Sequence, residues 1–189
     1  MEYFIVKIEN NMKIALVNDS DEIIGYEDKM TVHENGLLHR AFSIVIFNNH
    51  NQVLLHKRAE DKYHSGSLWT NACCSHLPEK VEFEEYIHER LIDEMGFDCN
   101  LKFYDKLRYY TEFNNNMFEH EIDHIYLGIF DGEVKPNPSE ASDYRWMEFS
   151  ELIADIQANP EKYTVWFNLI INKLNSENER LKELITLLK

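Results

Sequence analysis

The chain has 189 residues, 44% hydrophobic and 13% aromatic, which is enough to bury one substantial core, so a single domain is expected. A formal net charge of −15 argues against a general binder of nucleic acid or of an anionic membrane, because those partners need a basic surface. No run approaches the ~20 apolar residues that span a bilayer. Residues 1–11 hold acidic residues and no long apolar run, so neither export nor a signal peptide is expected, and three cysteines with two adjacent make no disulfide framework, so a soluble, reduced, cytoplasmic protein is expected.

In chain order, a short N-terminal extension (1–11) precedes two strand-like runs, 13–18 and 23–26, flanking Asp19-Ser20-Asp21-Glu22 as a hairpin. A second hairpin is expected from 40–47 and 52–57 around Asn48-Asn49-His50-Asn51. Residues 83–95 read as a helix stopped by Gly96, whose missing Cβ suits a left-handed cap. Long strands are expected at 101–113 and 118–130. Tyr163, Trp166, Phe167, Ile170, Ile171 and Leu174 then repeat at helical spacing, and Leu181, Leu184, Ile185 and Leu188 continue the stripe in a C-terminal helical segment, 161–189. The strands arrive in hairpin-like pairs rather than alternating with helices. The class is therefore α+β (α/β sandwich-like), with mixed sheets covered by helices.

The chemistry concentrates in Thr70-Asn71-Ala72-Cys73-Cys74-Ser75-His76, in Glu119-His120-Glu121, and in His33 and His39. Residues i and i+2 of an extended strand share a face, so Cys74 points with His76, and Glu119 with Glu121, while Cys73 and His120 turn away. Three imidazoles and two carboxylates spaced in this way can close around one divalent ion. Mixed nitrogen and oxygen donors suit Mg, Mn or Zn and differ from a closed, mostly thiolate structural zinc site.

Leu37 to Ser43, Trp69 to Asn71, Cys74-Ser75-His76, Arg90 to Gly96 and Phe118 to Glu121 occur in an order that resembles the type 1 isopentenyl-diphosphate delta-isomerases of the Nudix superfamily, over about 29–166. The resemblance implies a Nudix-type fold and isomerisation of isopentenyl to dimethylallyl diphosphate through a tertiary carbocation. It implies one ion on His33, His39, His76, Glu119 and Glu121, and a second ion, Mg²⁺, shared by the substrate diphosphate and Glu94. Cys74 and Glu121 are implied as the acid/base pair, Cys74 acting as a thiolate, with Tyr109 beside Glu121 and Trp166 offering a π face to the cation. Lys29, Arg58, Lys62 and Arg90 are implied to hold the phosphates. The partner is then a small isoprenoid diphosphate, with no nucleic acid or membrane, and the chain acts as a monomer or a homodimer.

Each residue also has a plain structural reading. Trp166 belongs to an apolar helical stripe, Arg90 and Glu94 have the spacing of a helix-surface ion pair, Tyr109 can be strand packing, Lys57, Arg58 and Lys62 can be a solvated hairpin end, and Lys29 a wet loop residue. Two rival functions remain. One is a metal-stabilised binding module. The other is a Nudix hydrolase of a nucleoside diphosphate-linked substrate, whose box Gly-x5-Glu-x7-Arg-Glu-x2-Glu-Glu-x-Gly, anchored on Gly96, keeps Glu94 and Asp93. That box has Glu89 and Arg90 for its Arg-Glu pair, Val81 for the upstream Glu and Ser75 for the first Gly. Leu77 between His76 and Pro78 departs from the isomerase pattern.

Overall fold

The computed structural model describes residues 12–113 and 115–189, so the expected extension at 1–11 lies outside the described residues. Strands β1 (Lys13–Val17) and β2 (Ile23–Asp28) form the first expected hairpin. Its turn is shaped by Asn18, whose Oδ1 accepts the backbone N–H groups of Ser20 and Glu22. The chain continues directly into helix α1 (Lys29–Asn35), capped by Asp28, which accepts from the N–H groups of Met30 and Thr31. Lys29 is thus the first helical residue, not a loop residue. The Asp-x3 start before a Gly was a readable signal for this seven-residue helix, but its apolar periodicity is too short to declare it.

Strand β3 (His39–Phe47) is the spine of a nine-stranded mixed sheet. It pairs antiparallel with β6 (Cys73–His76), with Ser43 opposite Cys74 and Ala41 opposite His76, and parallel with β8 (Met117–Ile129), with His39 opposite Glu121. Strand β7 (Leu101–Phe113) returns antiparallel along β8. The expected hairpin of β3 with β4 (Gln52–Arg58) survives only at its turn, where Phe47 pairs with Val53. Beyond that point β4 swings away to β5 (Trp69–Thr70) and β9 (Ala141–Glu148), because both edges of β3 are already occupied.

Alternation along β3 feeds two cores. Phe42, Ile44 and Ile46 meet Ile87, Leu91 and Met95 of α2 (Phe83–Met95), whose i, i+4 spacing makes one apolar face. This helix has the expected bounds and ends at Gly96 with φ 75°. Val45 and Phe47 point the other way, into a core built with Leu152 and Ile156 of α3 (Phe149–Ala158), the expected stripe of α4 (Val165–Ser176) and Leu181 of α5 (Asn178–Leu188). A 3-10 turn (Pro160–Lys162) links α3 to α4. Truncating a fully buried residue such as Phe167 to Ala would cost about 3–5 kcal/mol. Leu184, Ile185 and Leu188 pack on the same core, so the last stripe caps the domain. No described helix is long and apolar enough to cross a membrane.

Candidate active site

Strand parity brings the donors together as expected. Glu119 and Glu121 on β8, His39 on β3, His76 on β6 and His33 on α1 are all buried, and one ligand atom from each lies within 4.8 Å of all the others. Cys73 turns into the α2 core, and His120 turns out to contact the Gly36 carbonyl. The histidine tautomers reveal what the cluster lacks. His33 Nδ1 donates to the Lys29 carbonyl at 2.7 Å and His39 Nδ1 to the Leu37 carbonyl at 2.8 Å, so in the neutral rings Nε2 is a bare lone pair. Those lone pairs face carboxylate oxygens: His33 Nε2 is 3.4 Å from Glu119 Oε2, and His39 Nε2 is 3.3 Å from Glu121 Oε1. His39 Nε2 and Glu119 Oε2 are buried without a hydrogen-bond partner among the described residues. Acceptors gathered against acceptors out of water are unfavourable unless a cation sits between them. Donors all within 4.8 Å of one another come close to the ~4.4 Å that two opposed ligands at ~2.2 Å from one ion can span, so a contraction of a few tenths of an ångström fits the residues to a divalent metal.

The carboxylates and imidazoles also shift one another. Burial alone would raise both carboxylates, but His33 and His64 hold Glu119 well below its ordinary range. In Glu121, burial and the Glu119 charge are outweighed by His39 and His76. Burial depresses His76, whereas in His33 the Glu119 carboxylate overcomes burial and raises the imidazole.

Beside the cluster lies a cavity of about 550 Å³ whose wall includes Cys74, Tyr109, Glu119, Glu121 and Trp166. Tyr109 Oη donates to Glu121 Oε2 at 2.7 Å, so Tyr109 is more than strand packing. Burial and the neighbouring Glu121 push the Tyr109 phenol far up, keeping it a donor. Trp166 donates from Nε1 to Asn71 Oδ1 at 3.2 Å, while Asn71 Nδ2 donates to the carbonyls of Cys73 and Ile44. That amide ties the thiol strand to helix α4. The four expected cations, Lys29, Arg58, Lys62 and Arg90, all line the same cavity, and Arg58 lies over the Trp166 ring at 5.2 Å. They are therefore not a solvated hairpin end.

Two expectations meet a different geometry. Burial drives the Cys74 thiol well up, against the pull of Arg58, so the protein alone holds a thiol there rather than a thiolate. Glu94 is buried behind the wall, accepting from Arg90 Nη2 at 2.7 Å, and the acids in the wall beside it are Asp93 and Glu140. Burial raises Glu94 to about 7 despite Arg90. Glu140 binds Lys62 at 2.5 Å and approaches Arg90 at 3.4 Å, which together keep its carboxyl low against burial.

Sequence reasoning missed Tyr63, His64, Asp123 and Glu140, and gave no role to Asn71 although it stands in the 70–76 stretch. Of the four missed, only Asp123 carried a signal, as the next i+2 position after Glu121. It is buried, accepts from Ser43 Oγ at 2.8 Å, and is raised by burial and by Glu121.

Residues 37–167 match the NUDIX domain family model. The chain belongs to the NUDIX family. Within it, an isopentenyl-diphosphate delta-isomerase 2 of Photorhabdus laumondii is 46% identical over 165 residues, covering 87% of this chain and 93% of that relative. A protein of the same name from Aromatoleum aromaticum is 40% identical over 164 residues, covering 87% of each chain. These matches place the NUDIX chain in the isopentenyl-diphosphate delta-isomerase branch. The NUDIX fold is shared with a crystal structure from Deinococcus radiodurans, at TM-score 0.71 and 16% identity over 85% of this chain and 98% of that one. A MutT protein from Methanosarcina mazei follows at TM-score 0.60 and 16% identity over 75% and 95%. At these identities the likeness concerns architecture only.

Proposed function

We propose that this NUDIX protein isomerises isopentenyl diphosphate to dimethylallyl diphosphate, acting as one cytoplasmic domain, monomeric or homodimeric, on a soluble diphosphate. The observation that carries the reading is the meeting of a thiol and a tyrosine-supported carboxylate on one cavity with four cations and an indole ring.

Placing a proton on an unactivated alkene creates a tertiary carbocation, so the cavity must supply an acid, a base and no stray water. Glu121 and Cys74 carry one exchangeable proton between them, and a reversible double-bond shift requires them to trade acid and base roles. In the ligand-free geometry the proton rests on sulfur, with Tyr109 supporting the Glu121 carboxylate. In the forward direction Glu121 protonates the terminal alkene carbon and Cys74 removes the C2 proton, after its own proton has passed to Glu121. Trp166 stabilises the cation through its π face, worth roughly 2 kcal/mol when desolvated. Lys29, Arg58, Lys62 and Arg90 hold the diphosphate, whose binding energy orients the small hydrocarbon.

His33, His39, His76, Glu119 and Glu121 would hold a divalent ion, Mg, Mn or Zn. Such an ion supplies positive charge that fixes Glu121 and lowers the proton affinity of groups beside it. Glu94, together with the substrate diphosphate, would hold a second Mg²⁺, which would supply positive charge against the phosphates.

A hydrolytic reading is disfavoured at a specific place. Where the hydrolase box puts a carboxylate, this chain has Arg90, and that guanidinium occupies Glu94. Incubating the purified protein with isopentenyl diphosphate and Mg²⁺ separates the two reactions. Dimethylallyl diphosphate without released phosphate is expected, and released phosphate without the isomer would replace the isomerase reading with the hydrolase.

A further inference from the structure

Between Glu119 and Trp166 the cavity wall carries a histidine that no sequence motif singled out. His64 sits on the loop joining β4 to β5, with its side chain 4% exposed and its Nε2 2.7 Å from Glu119 Oε1. The ring lies flat on Phe113, centroids 4.6 Å apart and planes at 10°, and edge-on to Trp166 at 5.8 Å. Ser65 Oγ is 3.2 Å from His64 Nδ1. A hydroxyl donating to Nδ1 leaves the ring hydrogen on Nε2, close to the carboxylate but off the line of a hydrogen bond, so that His64 Nε2 is buried without a hydrogen-bond partner among the described residues. Glu119 is thereby divided: Oε1 is met by His64, while Oε2 faces His33 at 3.4 Å and His39 at 3.8 Å.

The loop that presents this ring is held in an unfavourable backbone. Ser65 and Ser67 adopt φ 52° and 63°, a region L residues rarely occupy, and a Cβ on Gly66 would come 2.5 Å from the Glu60 carbonyl oxygen. It is pinned by Ser67 N–H on the Arg58 carbonyl, by Arg58 Nη2 on the His64 carbonyl at 3.3 Å, and by Asn115 Nδ2 on the Tyr63 carbonyl at 3.0 Å. Strain retained where a buried ring meets a carboxylate points to a purpose for the ring's placement.

We propose that His64 is a positioning residue of the metal centre: its buried, unpartnered Nε2–H, 2.7 Å from Glu119 Oε1, turns onto that oxygen when an ion is held and fixes the carboxylate so that Oε2 alone is offered to the cation. The inference rests on the reading of Glu119 as a ligand. His64 is outside the group of mutually close donors and contacts the oxygen turned away from His33, so it acts through Glu119 and not as a sixth ligand. Hydrogen bonds of this kind orient ligands, and losing one typically weakens metal affinity ~10–100-fold.

The test uses the full chain, stripped with chelator and titrated with Mn²⁺ and Zn²⁺ against a chelating dye, alongside circular dichroism and melting of the metal-free protein. His64→Phe keeps the stack on Phe113 and loses the donor, and its affinity should fall ~10–100-fold with stoichiometry unchanged. His64→Gln, which can present an N–H to Oε1, should recover most of that loss, and Ser65→Ala should fall between. If His64→Phe does not fold, the Gln and Ser65→Ala pair decides, with unchanged affinity in Ser65→Ala counting against the proposal. Wild-type affinity in His64→Phe would overturn the inference while leaving the ligand set intact. Loss of the site even at saturating ion would make His64 a ligand and overturn it too. A parent protein that takes up neither ion would end the metal reading itself.

Discussion

Replacing Tyr109 by Phe isolates the acid/base proposal from folding and from metal capture. The substitution keeps a ring that is 7% exposed and removes only the hydroxyl that donates to Glu121 Oε2 at 2.7 Å. A hydrogen bond to a buried charged group contributes about 1.5–3 kcal/mol. In the substrate complex, where the proton has passed to Glu121, loss of the hydroxyl leaves the departing carboxylate less stable, its proton is held more tightly, and transfer to the alkene is harder by most of that amount. At about 1.4 kcal/mol per decade, kcat should drop roughly 10- to 100-fold. Tyr109 is outside the five-donor group but its hydroxyl holds a ligand carboxylate, so the rates are taken with the ion far above its Kd, where bound metal should equal the parent's. Initial rates of dimethylallyl diphosphate formation, with elemental analysis of the same samples, measure both. Tyr110→Phe is the control, since Tyr110 points to the other face and is 58% exposed. A Tyr109→Phe enzyme whose kcat stays within about twofold of the parent at full metal content would refute the pairing of Tyr109 with the reacting carboxylate.

Cys74→Ala should abolish isomerisation with metal content near the parent's, while Cys73→Ala, whose side chain is buried in the α2 core, should keep turnover; the reverse pattern in product assays would show that the wrong thiol was chosen. Saturating ion at ~100 times its Kd should stabilise the protein by about 2.7 kcal/mol, or roughly 5–10 °C in Tm; a melt indifferent to both chelator and added ion would remove the metal from the His/Glu cluster. Glu94 is raised from 4.5 to about 7, so its native carboxyl favours the protonated form; this contribution is complete below pH ~4.5 and is lost as pH rises through ~7. Two and a half pH units correspond to about 3 kcal/mol. In chelator, the Tm of Glu94→Gln should therefore gain on the parent by several degrees between pH 5 and pH 8, and a gap independent of pH would mean that Glu94 is not held neutral.

The most legible elements were those whose signal is local. α2 has its expected bounds because apolar i, i+4 spacing and a terminal Gly coincide, and the α4 and α5 stripes were equally plain. The i+2 rule placed Cys74 with His76, and Glu119 with Glu121, before any contact was known. What escaped depends on distant partners. β9 reads as a polar stretch, and only its pairing with β4 makes it a strand. The splaying of β4 from β3 follows from occupied edges, which no local pattern encodes. His64 stands alone between Tyr63 and Ser65, and its relation to Glu119 exists only after the β4–β5 loop folds over β8.

The parallel register that sets His39 opposite Glu121 also dictates when the cage can exist during synthesis. His33, His39 and His76 leave the ribosome first, yet three imidazoles on an unclosed scaffold are a poor trap for an ion. Only after Glu119 and Glu121 emerge and β8 docks beside β3 do the carboxylates arrive, so the nascent chain passes through a period with weak donors and no closed coordination shell. Closure of a coordination shell is thereby deferred until the β8 carboxylates have docked, so the folded walls rather than the emerging histidines would choose the ion.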